Sequence, residues 1–145
     1  MSAPVQIKLR DAEVRRLLDN LGADAFDKLL DVAAATMESQ TRRRLQESKR
    51  SPQGEPWEPW SEGYARGRKG RGALLDRTGA LIDAVYSRTT GSGVEVGSSV
   101  IYAAAHQDGS PSQGIPARPF LGLGPEDERE LVEIFEDYLG RVARV

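Results

Sequence analysis

Residues 51–72 restrict the fold more than any other part of the sequence, because they interrupt the hydrophobic periodicity found on either side. This stretch contains five glycines, three prolines, two tryptophans and one tyrosine, and no aliphatic side chain larger than that of Ala65. A segment of this composition cannot build a core of its own. We therefore predict a long flexible loop here, between a helical first part of the chain and a second part made of shorter elements.

The residues before this loop predict one short strand and two helices. Apolar and polar side chains alternate over residues 5–9, which is typical of a half-buried strand. Apolar residues at helical spacing predict a helix over 11–21 and a longer one that Asp24 caps and that runs to about Ser48. Thr41 interrupts the apolar stripe of the longer helix.

The residues after the loop predict a hairpin and a terminal helix. A short helical stretch near Gly79 leads into a strand from Val85, and the sequence GSG at 91–93 favours a tight turn into a returning strand. One helical turn is predicted over 102–106, and a final helix begins at Pro125 with acidic residues in its first turn. The fold class is therefore α+β: a long helix and a C-terminal helix packed on a small antiparallel sheet. The length of 145 residues suits a single domain, 1–145.

The charge of the chain is small overall but unevenly distributed. The net charge is −2, which argues against a protein built to coat nucleic acid. Residues 41–77 carry ten basic and five acidic side chains, giving +5, whereas residues 125–145 carry seven acidic and three basic ones, giving −4. Such a pattern fits either head-to-tail pairing of identical copies or two solvated surfaces of opposite sign.

Few residues suited to catalysis or metal binding are present. The chain has no cysteine, so disulfides and thiolate metal sites are excluded, and a single histidine, His106, makes a zinc site improbable. We expect His106 to form a structural hydrogen bond beside Gln107 and Asp108. No signal peptide or membrane-spanning stretch is recognisable. The sequence thus predicts a non-enzymatic protein with no cofactor and no membrane contact.

Cations and aromatic residues interleave in the loop, which makes it the leading candidate for contact with a partner. This combination occurs in single-strand nucleic-acid binders and also at protein interfaces, and the residues alone do not separate these two functions. Arg118 is a further candidate, either for a partner or for a local carboxylate, whereas Phe120 is expected in the core. Three successive arginines, 42–44, fan out around their helix and are interpreted as a solvated helix end. The predicted partner-binding residues are Trp57, Trp60, Tyr64, Arg66, Arg68, Lys69, Arg71 and Arg118.

Five sequence phrases in a fixed order carry a resemblance to a known family. They are PQGEPW at 52–57, LLDRTGAL at 74–81, VGS at 96–98, YAAAHQDG at 102–109 and IPARPFLG at 115–122, followed by an acidic helix. In this succession, over roughly residues 40–139, the chain resembles the phage virion morphogenesis family, the tail-completion proteins of contractile-tailed phages such as the Mu-like phages. The second tryptophan, Trp60, departs from the family pattern.

The resemblance implies a structural role in finishing the phage tail and joining it to the head, with no catalytic activity. It implies rings of identical subunits, commonly hexamers, whose partners are the tail tube and the neck or connector proteins. The only nucleic acid that the resemblance implies is phage DNA passing the assembled protein. A small nucleic-acid-binding module remains the alternative function. We expect the protein in the virion, and in the host bacterial cytoplasm during assembly. The loop is expected to be mobile in the free subunit and ordered in the assembly.

Overall fold

The computed structural model of the chain describes residues 5–8, 22–68, 75, 79–90 and 93–143. The strands are β1 (Val5–Lys8), β2 (Val85–Thr90) and β3 (Gly93–Ser98). The helices are α1 (Ala23–Arg43), continued by a π-helical turn (Arg44–Ser48), α2 (Glu62–Arg68), α3 (Ala80–Asp83), α4 (Ala103–Asp108), a 3₁₀ turn (Pro111–Gln113) and α5 (Pro125–Ala143). The predicted helix over 11–21 lies outside the described residues.

The sheet is antiparallel, with β3 in the centre between β1 and β2. Val5 lies opposite Val96 in one ladder, and Val85 lies opposite Ser98 in the other. The hairpin predicted from the GSG turn is therefore confirmed, and so is the α+β fold class. The assignment of the whole chain to one domain stays a prediction.

The core lies between the sheet and the long helix α1, which packs across β2 and β3. Side chains from nearly every part of the described chain meet in this cluster, and Leu45, Ala103 and Phe120 are fully buried in it. The expectation that Phe120 fills the core is confirmed. The final helix α5 contacts α1, and its Leu131 joins the same core.

The long helix has the predicted extent but differs at its start. Gly22 occupies the N-cap position without a side-chain hydrogen bond, and Asp24 lies in the first turn, so the predicted Asp24 cap is wrong. The helix ends where Lys49 adopts a left-handed backbone conformation, with φ 54°. Thr41 is buried on the apolar face of this helix. Its polar hydroxyl is tolerated there because it donates to the carbonyl of Met37 at 2.8 Å.

The three successive arginines fan out as predicted, but they do not form a solvated helix end. Arg42 donates to the Val85 carbonyl at 2.8 Å, and Arg43 pairs with Glu130 at 3.0 Å on the surface. Arg44 is buried; it donates to the carbonyl of Phe120 at 2.8 Å and pairs with Asp127 at 2.6 Å. Burial lowers the pKa of Arg44, against the raising influence of Asp127. The arginine run therefore fastens α1 to β2 and α5.

The predicted loop is more ordered over residues 51–68 than its composition indicated. Pro52 packs so closely on Gly124 that a Cβ added at Gly124 would overlap the Pro52 carbonyl oxygen. Trp57 is 5% exposed and belongs to the core cluster. The segment has no core of its own, as predicted, but its aromatic side chains and prolines let it pack against the core of the rest of the chain. Residues 69–72 lie outside the described residues.

Candidate partner-binding groove

A groove of about 1310 Å³ lies between two parts of the chain. The first part leads into α2 and includes the start of that helix, and the second surrounds α4. One wall comes from residues 58–64, and the other from Tyr102, His106 and the loop over 111–116. The buried side of the groove includes Leu81 and Arg118. The groove is therefore built from parts of the chain that are distant in sequence.

Two aromatic pairs line this groove. Trp60 and Tyr64 meet edge to face with ring centroids 5.6 Å apart, and Tyr102 and His106 do the same at the same separation. Tyr64 is 50% exposed and Tyr102 is 43% exposed, so both rings are accessible from the groove. Aromatic side chains on the surface of a groove are typical of binding sites for other molecules.

Arg118 connects the two sides of the groove. Its side chain is buried, with Nε donating to the Glu58 carbonyl at 2.7 Å and Nη2 donating to the Pro59 carbonyl at 3.2 Å. Arg118 does not pair with a local carboxylate among the described residues, because both of its side-chain hydrogen bonds go to backbone oxygens. Burial lowers the pKa of Arg118, while Glu58 acts in the opposite direction. Arg118 thus holds the 58–60 wall in position.

His106 does not form the structural hydrogen bond expected of it. Its Nδ1 is buried without a partner among the described residues, and burial, followed by the charge of Arg118, lowers its pKa. The neighbouring Gln107 takes the structural role instead, because its Oε1 accepts from the backbone N–H groups of Phe120 and Leu121, both at 3.0 Å. The His106 ring therefore lines the groove edge to face with Tyr102, and its lowered pKa favours the neutral imidazole.

The predicted partner-binding residues differ in where the structure places them. Trp60, Tyr64 and Arg118 line the groove. Trp57 does not: its indole N–H donates to the carbonyl of Pro119 at 2.7 Å inside the core, so its prediction as a partner contact is corrected to a structural role. Arg66 is exposed on α2 and pairs with Glu62 at 3.4 Å. The backbone of Arg68 lies in α2, and Lys69 and Arg71 lie outside the described residues.

The sequence analysis missed Tyr102 and Glu58 as members of the groove. Tyr102 and His106 are four residues apart around one helical turn, a spacing that places both rings on the same side. That spacing was readable in the sequence, whereas the position of Glu58 depends on the fold of residues 51–60 and was not.

Chemical features of other site types are not found in the described parts of the chain. Over those residues there is no group of three or more histidine, cysteine, aspartate or glutamate side chains placed to hold a metal ion. None of the described helices has the length and apolar composition needed to cross a membrane.

Comparison with known proteins finds relatives along nearly the whole chain. The sequence profile of the phage virion morphogenesis family matches residues 8–140. The chain is 30% identical over 147 residues to the putative capsid assembly protein G of Escherichia phage Mu, covering 92% of each chain. It is 37% identical over 73 residues to the Mu-like prophage FluMu G protein 2 of Haemophilus influenzae, covering 47% of this chain and 53% of that protein. No solved structure matches significantly.

Proposed function

Because the chain belongs to the phage virion morphogenesis family, we propose that it completes the end of the phage tail and joins the tail to the head. In this proposal identical subunits assemble into a ring, with six as the expected number. The ring contacts the tail tube on one side and the neck or connector proteins on the other. Phage DNA passes the ring without specific recognition, and the protein performs no catalysis.

The family match over residues 8–140 is the observation that carries this proposal. The relative in phage Mu is named a putative capsid assembly protein, which supports a structural role in building the particle. Assembly in the host cytoplasm and incorporation into the virion follow from that role.

The distribution of charge supports assembly into a ring. The final helix α5 presents exposed carboxylates, among them Glu126, Glu128 and Glu133, that have no ion-pair partner among the described residues. The 41–77 segment carries an excess of cations in the sequence; Arg43 and Arg44 pair with α5 of the same subunit, whereas Arg66 is exposed. Two surfaces of opposite sign on one subunit favour a head-to-tail contact, which closes into a ring when the rotation between neighbours permits it.

The nucleic-acid-binding alternative has less support than the ring. Burial of Trp57 removes one of the aromatic platforms that it would use, and the carboxylates of Glu58 and Glu62 lie beside the remaining two. Carboxylates at a binding surface oppose phosphate binding. A binding measurement at low and moderate salt separates the two functions: retention of single-stranded DNA that falls steeply with salt supports the alternative, and its absence removes it.

The proposal is tested first on the purified protein and then on the particle. Native mass measurement is expected to find a closed oligomer rather than a monomer. Electron microscopy of particles assembled without the protein is expected to find separate heads and tails, and addition of the protein is expected to join them. A matched control adds an unrelated protein of similar charge. Normal joined particles in the absence of the protein contradict the proposal.

A further inference from the structure

Exposed apolar side chains mark two separate surfaces on the subunit. Among the described residues, the exposed large hydrophobic side chains are Tyr64, Ile101, Tyr102 and Val132. Tyr64 and Tyr102 line the aromatic groove, and Ile101 directly precedes Tyr102. Val132 is 52% exposed and lies on α5, which contributes nothing to the groove lining. One surface is concave and the other is the convex side of a helix.

The groove contains a buried cation, Arg118, that has no ion pair among the described residues, although the negative charge of Glu58 partly offsets its own. Arg118 is 7% exposed, and its Nε and Nη2 donate to backbone carbonyls. No described carboxylate forms a salt bridge with it, and Nη1 has no hydrogen-bond partner among the described residues. A buried guanidinium is stabilised strongly by a carboxylate that reaches its free N–H groups. The groove therefore favours an occupant that carries a carboxylate.

The rim of the groove carries the opposite charge. Glu58 and Glu62 line the same wall as Trp60 and Tyr64, and both are exposed. Glu62 has only the exposed pair with Arg66, in which both side chains are at least 80% accessible. An occupant that matches the groove thus needs a cation for the rim, an apolar side chain for the rings and an anion for Arg118.

The outer face of α5 carries these three features at helical spacing. Arg129, Val132, Glu133 and Glu136 follow at i, i+3, i+4 and i+7, so they share one face of the helix. All four are exposed. None of the three charged side chains pairs with another described residue, unlike Glu130 and Asp137 on the same helix. From Arg129 to Glu136 the face is about 10 Å long at 1.5 Å per residue.

We propose that the outer face of α5 in one copy of the chain packs into the aromatic groove of the next copy. Val132 then contacts the rings of Tyr64 and Tyr102, a carboxylate of Glu133 or Glu136 reaches Nη1 of Arg118, and Arg129 lies toward the rim carboxylates. Packing of a helix into a groove is a common mode of protein recognition, and in this contact one apolar anchor, Val132, is flanked by charged side chains. Because groove and helix face are different surfaces, the contact is head-to-tail and generates a ring or a filament. This inference rests on the proposed ring and names its contact.

The absence of cysteine from the chain permits a direct test by disulfide crosslinking. Two variants are prepared separately, Tyr64→Cys and Val132→Cys; both positions are about half exposed, so the fold tolerates the change. The two are mixed, assembled and oxidised, and a linked pair in the mixture can form only between copies. A matched control pairs Tyr64→Cys with Asp31→Cys, which is exposed on α1. The mixture of Tyr64→Cys and Val132→Cys is expected to give at least tenfold more linked dimer than the control.

A second variant measures the contact without oxidation. Val132→Lys places a cation against the aromatic rings and Arg118, and it is expected to weaken assembly at least tenfold. Ala35→Lys introduces the same charge on the exposed surface of α1, outside this face, and is expected to alter assembly less than twofold. If oligomers form normally but the Tyr64→Cys and Val132→Cys mixture gives no more linked dimer than the control, the proposed contact is wrong. The proposed ring is not contradicted by that result. Protein that forms no oligomer at all overturns the ring and the contact together.

Discussion

Replacing Arg44 with methionine is expected to lower the free energy of unfolding by about 3–5 kcal/mol, the usual cost of breaking a buried ion pair by removing one partner. The side chain of Arg44 is 7% exposed and that of its partner Asp127 is 14% exposed. Its removal leaves the Asp127 carboxylate without a counterion and the buried carbonyl of Phe120 without a donor. Methionine retains much of the apolar stem, so the loss reports mainly the charge and the hydrogen bonds.

The adjacent Arg43 supplies a matched control on the same helix. Its pair with Glu130 has side chains that are 50% and 39% exposed. Because solvent screens such pairs, Arg43→Met is expected to cost no more than about 1 kcal/mol. Both variants are compared with the parent chain by urea denaturation, followed by far-ultraviolet circular dichroism at one protein concentration. Equal and small losses for the two variants refute the reasoning, since they mean that Arg44 is not a buried anchor between α1 and α5.

Three further substitutions, two of them paired with a control substitution, test the packing of residues 51–60 and the state of the groove histidine. Trp57→Phe removes the indole donor to a buried carbonyl and is expected to lower the free energy of unfolding by about 1–3 kcal/mol, more than Trp60→Phe in the same denaturation assay. Gly124→Ala is expected to destabilise the fold by at least about 2 kcal/mol, because its Cβ would overlap a backbone oxygen, whereas Gly140→Ala meets open space within α5 and is expected to stabilise by about 0.5–1 kcal/mol. The pKa of His106 is lowered from its ordinary 6.5 by burial and then by Arg118, so the unfolded chain binds the proton more readily. Stability is therefore expected to fall as the pH drops below about 6.5 toward the lowered value, and His106→Gln is expected to flatten this decline.

Each of these expectations has a result that contradicts it. Equal losses for the two tryptophan variants mean that Trp57 is not anchored in the core. A Gly124→Ala protein as stable as the parent means that the chain near Pro52 does not pack on Gly124. A parent protein whose stability declines with acid no more steeply than that of His106→Gln means that the histidine is as accessible in the folded chain as in the unfolded one.

Local patterns were enough to predict the elements whose contacts are near in sequence. The hairpin over 85–98 follows from alternation and a glycine turn, because its two strands need only each other to be in register. The final helix follows from Pro125 and the acidic first turn, which are favourable whatever the helix packs against. The approximate end of α1 near Ser48 follows in the same way, since Pro52 cannot continue a helix.

Contacts between distant residues account for what the sequence did not predict. The burial of Arg44 depends on Asp127, which is 83 positions away, so the spacing of the three arginines could not distinguish it from its exposed neighbours. Trp57 is structural and Trp60 lines the groove because only Trp57 reaches the carbonyl of Pro119, 62 positions further along the chain. The loop over 51–72 was predicted from its lack of aliphatic residues. That composition does not reflect the area that an aromatic ring can bury against a core formed elsewhere.

The joining of heads to tails is the most direct measure of the central claim, that this protein completes the tail and connects it to the head. Particles are assembled without the protein, the wild-type chain or buffer is then added, and joined particles are counted by electron microscopy. The proposed function predicts separate heads and tails with buffer, and joined particles with the wild-type chain. Joined particles in equal number with and without the chain contradict it.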